Sequence, residues 1–391
     1  MIEKYAKLDR TLDKTIIVNL YIFAAAMPFS IALTQISLGL ALLAWIGRLL
    51  VTRGAQVRRL SIEWAFLAYI AAEVLSLIFS TNFSQSFIYL KRLLLIPIVY
   101  LVAFNIRDSK HLKNILVVFL VSLTLYSLTG IYSFFQHPML RVRHVHNSMT
   151  AGGITMIASV LAFAAFSLGK EVKQKLLLSG VLIINLICLL LTNTRGSWLG
   201  FLFAMLFIIF YTNRKMLIAV PFVVVLFYFL SPAAFSYRLQ HFFDPRMSTN
   251  AKRLVWWQTG WEIFKDHPIV GIGDVSTTEM FKKYAPPYIK EYIGHMHSNY
   301  VHIAVTLGTV GFIAFMYMII WLFIRLYQLM YLFRPRGDLF YLISLAALAV
   351  YLAFNINGFF EWNFGDAEII TMIWFMMGMS FAALQLQNEK R

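Results

Sequence analysis

The chain has a single cysteine, Cys188, and few charged residues, and each shortage excludes a class of protein. One thiol forms neither a disulfide framework nor a thiolate metal site, and Cys188 itself lies within an apolar run. Charged residues make up 13% of the 391 residues, whereas soluble domains contain about one quarter. At the same time, 60% of the residues are hydrophobic. The composition therefore excludes an ordinary soluble domain and indicates a membrane protein.

Runs of apolar residues long enough to cross about 30 Å of hydrocarbon recur along the chain. We identify twelve of them, at 16–30, 31–50, 63–80, 86–105, 114–134, 149–168, 176–193, 197–211, 215–231, 308–332, 339–355 and 366–386. Pro28 and Ser30 follow the first run and mark either a turn or a kink. No small-residue cleavage site follows that run, so no cleavable signal peptide is expected. The pattern predicts an all-α polytopic membrane protein with about twelve transmembrane helices.

The distribution of Lys and Arg predicts the orientation of these helices. With the N-terminus in the cytoplasm, twenty of the 34 basic residues fall in the inner segments and three fall in the short outer loops. This excess of positive charge on one side places both termini in the cytoplasm. The net charge of +16 is then explained by topology and by contact with anionic membrane lipids, and no nucleic-acid partner is expected.

One long polar segment separates two groups of apolar runs and is expected on the outer side of the membrane. The predicted parts are residues 1–231 with transmembrane helices 1–9, residues 232–307 as a large helical outer-loop domain, and residues 308–391 with transmembrane helices 10–12. Within the outer loop, helical spacing of apolar residues predicts a helix from about 248 to 266. A second helix is expected over 298–307, ended by Gly308.

Two arginines on the outer side break the charge pattern. Arg195 stands between two apolar runs in LLTNTRGSWLG, where contact with lipid phosphate and binding of a substrate phosphate explain it equally well. Arg253 begins a predicted helix, where a cation is unfavourable against the helix dipole and indicates a nearby anion. Both side chains are candidates for binding a phosphate group.

Three ionisable residues lie within predicted spans, where charge is costly and usually faces the bundle interior. Glu73, Lys91 and Arg92 fall at similar depth in adjacent antiparallel runs. The simplest expectation is an ion pair between Glu73 and either Arg92 or Lys91. The alternative is that the cation left over contacts an anionic lipid substrate, so Lys91 and Arg92 are further candidates for substrate binding.

Histidines are concentrated on the outer side, where eight of the nine lie. His295 and His297 stand two apart in GHMHSNYVHIAVTLGTVG, and His302 follows. Zinc usually takes three or four protein ligands, and neither a cysteine nor an acidic residue is adjacent to these histidines in the sequence. No metal site is therefore predicted.

Three motifs resemble those of bacterial O-antigen ligases and of the broader O-antigen ligase/polymerase superfamily. HSNYVHIAVTLGTVG fits the ligase pattern H-[NSQ]-x9-G-x-x-G, with His297, Ser298, Gly308 and Gly311 in place. TNTRGSWLG resembles the Arg-Gly motif of the superfamily, and RLVWWQTGWEIFKDHPIVGIG resembles its R-x(n)-W…HP-x-x-G-x-G signature. The arrangement of about twelve spans with one large outer loop is similar as well.

The resemblance implies a lipid-linked oligosaccharide-dependent glycosyltransferase of the GT-C type in the bacterial inner membrane, with the outer loop in the periplasm. Such an enzyme joins O-antigen from an undecaprenyl diphosphate carrier to lipid A-core, with inversion and without a metal or another cofactor. By resemblance, His297 is the general base, and Arg195 and Arg253 hold the diphosphate. Nothing carries over to His295, which we expect to be either a supporting hydrogen-bond partner at the substrate site or simply solvated.

Two other functions stay open at this point. A polymerase or related oligosaccharide transferase shares two of the three motifs, and only the histidine motif favours a ligase. A lipid-linked glycan transporter, which is not an enzyme, would be expected to carry inverted repeats and ionisable residues near the middle of the membrane. The sequence shows no such repeat, and its ionisable residues lie toward the outer surface.

Overall fold

The structure is a computed structural model and describes residues 2–52, 57–136, 141–142, 145–222, 244, 248–289 and 292–388. Every regular element within these ranges is a helix, which confirms the predicted all-α class for the described residues. In chain order the α-helices are α1 (Ile2–Ala26), α2 (Ile31–Val51), α3 (Glu63–Ile78), α4 (Phe83–Tyr89), α5 (Pro97–Asn105), α6 (Ser109–Gln136), α7 (Ser148–Leu168), α8 (Val172–Leu191), α9 (Arg195–Thr212), α10 (Ser248–Asp266), α11 (Thr278–Tyr284), α12 (Asn299–Phe333), α13 (Leu339–Asn357) and α14 (Ala367–Asn388). A 3₁₀ helix, Leu90–Leu95, joins α4 to α5.

The centre of the bundle is formed by α7, α13 and α14. Most residues along these three helices are buried, because each helix is apolar on every side and packs against several neighbours. In particular, α13 packs against α7, α9, α12 and α14. By contrast, α8 lies at the periphery, where Leu176 and Leu177 are 74% and 70% exposed. Exposed apolar side chains of this kind give the bundle a surface suited to lipid.

Nine helical segments in the described part of the chain are long and apolar enough to cross a membrane, and they correspond to nine of the twelve predicted runs. The run 16–30 lies largely in α1, whose first half is charged, and Pro28 falls in the turn that follows. The run 63–80 forms α3, which has 16 residues and is short for a span. Most of the run 215–231, from residue 223 onward, lies outside the described residues. Twelve spans are therefore not confirmed.

The polar segment 232–307 is described from residue 248 onward except for 290–291, and Asp244 is also described. The helix predicted from 248 to 266 is confirmed as α10. The helix predicted over 298–307 forms the beginning of α12, which continues beyond Gly308 into a span. The existence of a separate domain over 232–307 stays a prediction.

The long helix α12 is broken at Gly308, whose φ of 64° is left-handed. At this break the segment 268–273 lies backbone against backbone with α12, and the Thr309 N–H donates to the Pro268 carbonyl at 2.8 Å. A Cβ atom at Gly308 would lie 2.4 Å from the Ile269 carbonyl oxygen, a distance that no side chain tolerates. The HP-x-x-G-x-G and G-x-x-G signatures therefore meet in one close contact, which is why glycine is required there.

The loop between α13 and α14 is fixed to the beginning of α12 by the buried Asn299. The Asn299 side chain donates to Oδ1 of Asn363 at 2.6 Å and accepts from the Phe364 N–H at 3.0 Å. The Asn299 N–H donates to the Gly358 carbonyl at 2.7 Å. These bonds hold the loop beside the beginning of α12, where Glu361 contacts His297 and Trp362 contacts His302.

Candidate active site

A polar cavity of about 600 Å³ lies at the end of the bundle where α13 ends and where α7 and α14 begin. Its lining comes from parts of the chain that are far apart in sequence, including the start of α7, residues 294–302 and the loop between α13 and α14. Large concave sites with a few convergent polar groups are where ligands tend to bind. The cavity is lined by three of the candidate site residues predicted from the sequence, which are His295, His297 and Arg92.

His297 is held beside a carboxylate that comes from the loop between α13 and α14. Its Nδ1 atom lies 3.2 and 3.4 Å from the two carboxyl oxygens of Glu361. The imidazole also stacks on Trp256 of α10, with ring centroids 4.6 Å apart. The His297 backbone is left-handed, with φ of 46°, a conformation that is uncommon for residues other than glycine and concentrates at functional sites. The imidazole is therefore fixed on two sides and in backbone conformation.

The chemistry of this pair follows from the charge of Glu361. Burial raises the pKa of Glu361, but the hydrogen bond from His297 and the electrostatic interactions with His297, His295 and Arg253 outweigh it and hold the pKa below its usual value. An ionised carboxylate only accepts hydrogen bonds, so Nδ1 of His297 carries the proton. In the neutral imidazole the lone pair then lies on Nε2, which is the atom able to take a proton from a substrate.

His295 lies against His297, with ring centroids 4.2 Å apart, and its Nδ1 accepts from the His297 N–H at 3.4 Å. Burial lowers the pKa of His295 to about 4, and the repulsion that two protonated imidazoles would meet at His295 and His297 acts in the same direction, while Glu361 opposes the change. The His295 ring is therefore neutral at pH 7. One nitrogen of each histidine and a Glu361 oxygen lie within 4.8 Å of one another. No acidic residue is adjacent to the histidines in the sequence, but Glu361 supplies a carboxylate from a distant part of the chain. Among the described residues, these three groups form a cluster that could hold a metal ion.

The two arginines expected to bind phosphate line a cleft of about 40 Å³ next to the cavity. Arg195 begins α9 and donates to Oδ1 of Asn250 at 2.7 Å. Arg253 comes from α10, and its buried Nε atom has no hydrogen-bond partner among the described residues. Burial lowers the pKa of Arg253, and the charge of Glu361 opposes that change. Arg141, which no sequence motif singled out, lines the same cleft.

The arginine cleft and the polar cavity share part of their lining. Met149, Asn357 and Glu361 line both. Glu361 therefore contacts the imidazole on one side and lies within electrostatic range of Arg253 on the other. A ligand with its anionic part in the cleft would place the adjoining part in the cavity beside His297.

The structure places Arg92 and Lys91 differently from each other. Arg92 lines the cavity, but its guanidinium donates to both carboxyl oxygens of the buried Asp274, at 3.1 and 2.8 Å. The expected ion pair with Glu73 is not formed by either cation in the described structure, and Glu73 instead accepts a short hydrogen bond from the Tyr69 hydroxyl. Lys91 is exposed and outside the cavity lining. Arg92 thus ties the polar segment to the bundle, and substrate contact by Lys91 or Arg92 stays a prediction.

Comparison with family models matches residues 180–316 to the family described as O-antigen ligase. Residues 180–316 are therefore similar to this family. No curated protein matches the chain by sequence. The family match confirms the resemblance to the O-antigen ligase/polymerase superfamily that the motifs indicated, and Arg195, Arg253 and His297 all lie within the matched range.

The match and the fold together support the predicted membrane class and the predicted class of enzyme. The apolar helices and the family match indicate a multi-pass membrane protein, and the match implies a glycosyltransferase-like enzyme that uses lipid-linked glycans. Sequence reasoning missed Glu361, Asn357 and Arg141 as members of the site. For Glu361 a signal existed, since it is a carboxylate in a short predicted outer loop, but nothing in the sequence joined it to His297. His137, His144 and His241 lie outside the described residues.

Proposed function

We propose that this chain is an O-antigen ligase of the bacterial inner membrane. It transfers O-antigen polysaccharide from an undecaprenyl diphosphate carrier to lipid A-core at the periplasmic face. Both termini lie in the cytoplasm, in keeping with the distribution of Lys and Arg along the chain. The observation that carries the proposal is that Glu361 lines both the arginine cleft and the cavity that contains His297.

The donor in this reaction is already activated, because its glycan is bonded to a diphosphate leaving group. Arg195 and Arg253 bind the diphosphate and offset the negative charge that grows as the bond between the anomeric carbon and the phosphate oxygen breaks. The guanidinium fork suits phosphate oxygens, and the buried Nε of Arg253 has a hydrogen bond to give.

The acceptor is a sugar hydroxyl in the polar cavity. Nε2 of His297 takes the hydroxyl proton as the new bond between the hydroxyl oxygen and the anomeric carbon forms. Glu361 fixes the tautomer and stabilises the imidazolium that results. Single displacement by one hydroxyl inverts the anomeric carbon, and the diphosphate leaves with the lipid.

An apolar groove of about 470 Å³ between α10 and the beginning of α12 supports a lipid-linked donor. Trp257, Trp261, Phe264, Tyr300 and Phe312 contribute to its lining. The groove adjoins the catalytic segment, because Nε1 of Trp257 donates to the carbonyl of Met296, next to His297, at 3.0 Å. A prenyl chain in this groove would bring its diphosphate toward the cleft.

The decisive experiment offers the purified protein one donor and two possible acceptors, which are lipid A-core and the glycan of a second donor molecule. Undecaprenyl diphosphate-linked O-antigen is incubated with lipid A-core, and the products are separated by mass. A ligase yields glycan bonded to lipid A-core. A lengthened, still diphosphate-linked glycan would identify a polymerase of the same superfamily and would refute the proposal, as would the absence of any transfer.

A further inference from the structure

A second group of polar side chains lines the same cavity at the N-terminal ends of α7 and α14. Asp366 precedes α14, and its Oδ2 accepts from the Thr150 hydroxyl at 2.6 Å. The Glu368 backbone N–H donates to Oδ1 of Asp366 at 3.2 Å, which places the two carboxyl groups side by side. Glu368 also lies 3.7 Å from Nε2 of His146. These contacts fix two carboxyl groups in the cavity lining, away from the arginines of the cleft.

Charge is therefore separated between the two compartments. The cleft is lined by three arginines, Arg141, Arg195 and Arg253. Among the described residues that line the cavity, Arg92 is the only Arg or Lys, and its charge is matched by the bidentate pair with Asp274. A phosphate is attracted to the cleft, whereas an anion in the cavity would meet carboxyl groups that no arginine neutralises.

The cavity also contains a buried side chain that lacks a partner. His302 is 2% exposed and lines the cavity, and its Nδ1 has no hydrogen-bond partner in the described structure. Its ring packs on Trp362, with centroids 4.1 Å apart. Hydrogen-bonding groups beside an aromatic surface match a sugar, which presents hydroxyl groups at its edge and an apolar face.

We infer that this part of the cavity is a subsite for the acceptor sugar, and that Asp366 and Glu368 make it select an uncharged sugar and reject a carboxylated or phosphorylated one. The role of the bound sugar as acceptor rests on the proposed function, whereas the selection of an uncharged sugar is a property of binding alone. The carboxyl groups and amides of the lining exchange hydrogen bonds with hydroxyl groups. A negatively charged ligand would lose water beside the like charges of Asp366 and Glu368, and this repulsion weakens its binding relative to that of an uncharged sugar.

The test compares two probes that differ only at C6, hexyl β-glucoside and hexyl β-glucuronide. Their dissociation constants are measured by calorimetry on the full-length protein in nanodiscs without donor. The wild type is expected to bind the glucoside at least about tenfold more tightly. Glu368→Gln should bring the ratio several-fold closer to one while the Asp366 carboxyl group retains part of the selection, with the affinity for the glucoside retained within about threefold, because an amide still bonds hydroxyl groups.

Two further variants keep the result interpretable. Glu368→Asp retains the charge and should retain most of the selection. Glu279→Gln removes an exposed carboxylate of α11, outside the cavity lining, and should leave the ratio unchanged. Equal binding of both probes by the wild type, or an unchanged ratio in Glu368→Gln, overturns the inference.

The outcomes also separate the subsite from the reaction. Selective binding of the glucoside by a protein that transfers no glycan would refute the proposed function and leave the sugar subsite standing. Transfer to lipid A-core by a protein that binds both probes equally would refute the subsite and leave the function standing.

Discussion

The Glu361 carboxylate lies 3.2 Å from Nδ1 of His297, although 64 positions separate the two residues in the chain. The buried Asn299 makes this pairing possible, because it bonds the loop between α13 and α14 to the beginning of α12. The base and its orienting carboxylate thus come from different elements, held together by an amide that takes no part in the chemistry.

The first prediction concerns this pair. His297→Ala should abolish ligation, with a loss of about 10²–10⁴-fold or more, because the base that takes the acceptor proton is missing. Glu361→Gln should lower kcat by about 10²-fold and leave the KM for acceptor within a few-fold, because the amide holds the wrong tautomer of the imidazole. Glu361→Asp should recover part of the rate.

Donor binding provides the control for both variants. The dissociation constant for undecaprenyl diphosphate should change little in His297→Ala, since the imidazole acts on the acceptor. A variant that fails to ligate because donor no longer binds would contradict the assignment of His297 as the base, and so would a near wild-type rate.

The second prediction concerns the arginine cleft. Arg195→Ala and Arg253→Ala should each weaken binding of undecaprenyl diphosphate and slow turnover strongly, since a charge-assisted hydrogen bond contributes about 1.5–3 kcal/mol. Arg195→Lys should restore only part, because an ammonium lacks the planar fork. Lys252→Ala, on the same helix as Arg253 but outside the cleft lining, is the matched control. Normal turnover in Arg195→Ala would favour contact with lipid phosphate as the role of Arg195.

The third prediction concerns metal. His295, His297 and Glu361 lie close enough together to bind an ion, but the proposed steps need His297 free to accept a proton and obtain their positive charge from arginine. Activity should therefore survive exhaustive chelation. A loss that zinc restores, accompanied by binding of zinc in an equilibrium measurement that Glu361→Gln abolishes, would replace the general base with a metal centre.

The site residues that could be predicted from the sequence are those that stand in a recognisable local motif. Arg195, Arg253 and His297 stand in motifs, and the helix before His-Pro and the break at Gly308 follow from periodicity and glycine. Contacts between distant parts of the chain left no such signal. Glu73 and Arg92 lie at similar depth in adjacent predicted spans, which favoured an ion pair between them. Arg92 instead makes a bidentate pair with the buried Asp274, which lies 182 positions away in the polar segment.

The fourth prediction tests orientation. Cysteine introduced at the exposed Glu279 of α11 should react with a membrane-impermeant maleimide in intact spheroplasts, whereas cysteine at the exposed Asn213 should react only after lysis. The native Cys188 is fully buried and should give no background. The reverse pattern of labelling would place the site on the cytoplasmic side and exclude the proposed periplasmic reaction.

The last prediction concerns how pH changes the selection against a charged sugar. Burial, followed by the hydrogen bond and negative charge of Glu368, raises the pKa of Asp366 to about 7. Because the pKa is raised, Asp366 is mostly protonated at about pH 6.5 and mostly ionised at about pH 8. Three other titratable groups interact electrostatically with Asp366, namely His146, Tyr126 and His295. Burial lowers the pKa of both histidines, so neither takes up a proton between about pH 6.5 and about pH 8 that would offset the charge of Asp366.

The negative charge of the subsite therefore falls as the pH falls. Hexyl glucuronide stays ionised throughout, since free carboxyl groups titrate near about pH 4. Its disadvantage relative to hexyl glucoside should be several-fold smaller at about pH 6.5 than at about pH 8. Asp366→Asn keeps a residue that caps helices well and should make the ratio independent of pH. A ratio that grows on acidification, or that still depends on pH in Asp366→Asn, would show that another group controls the selection.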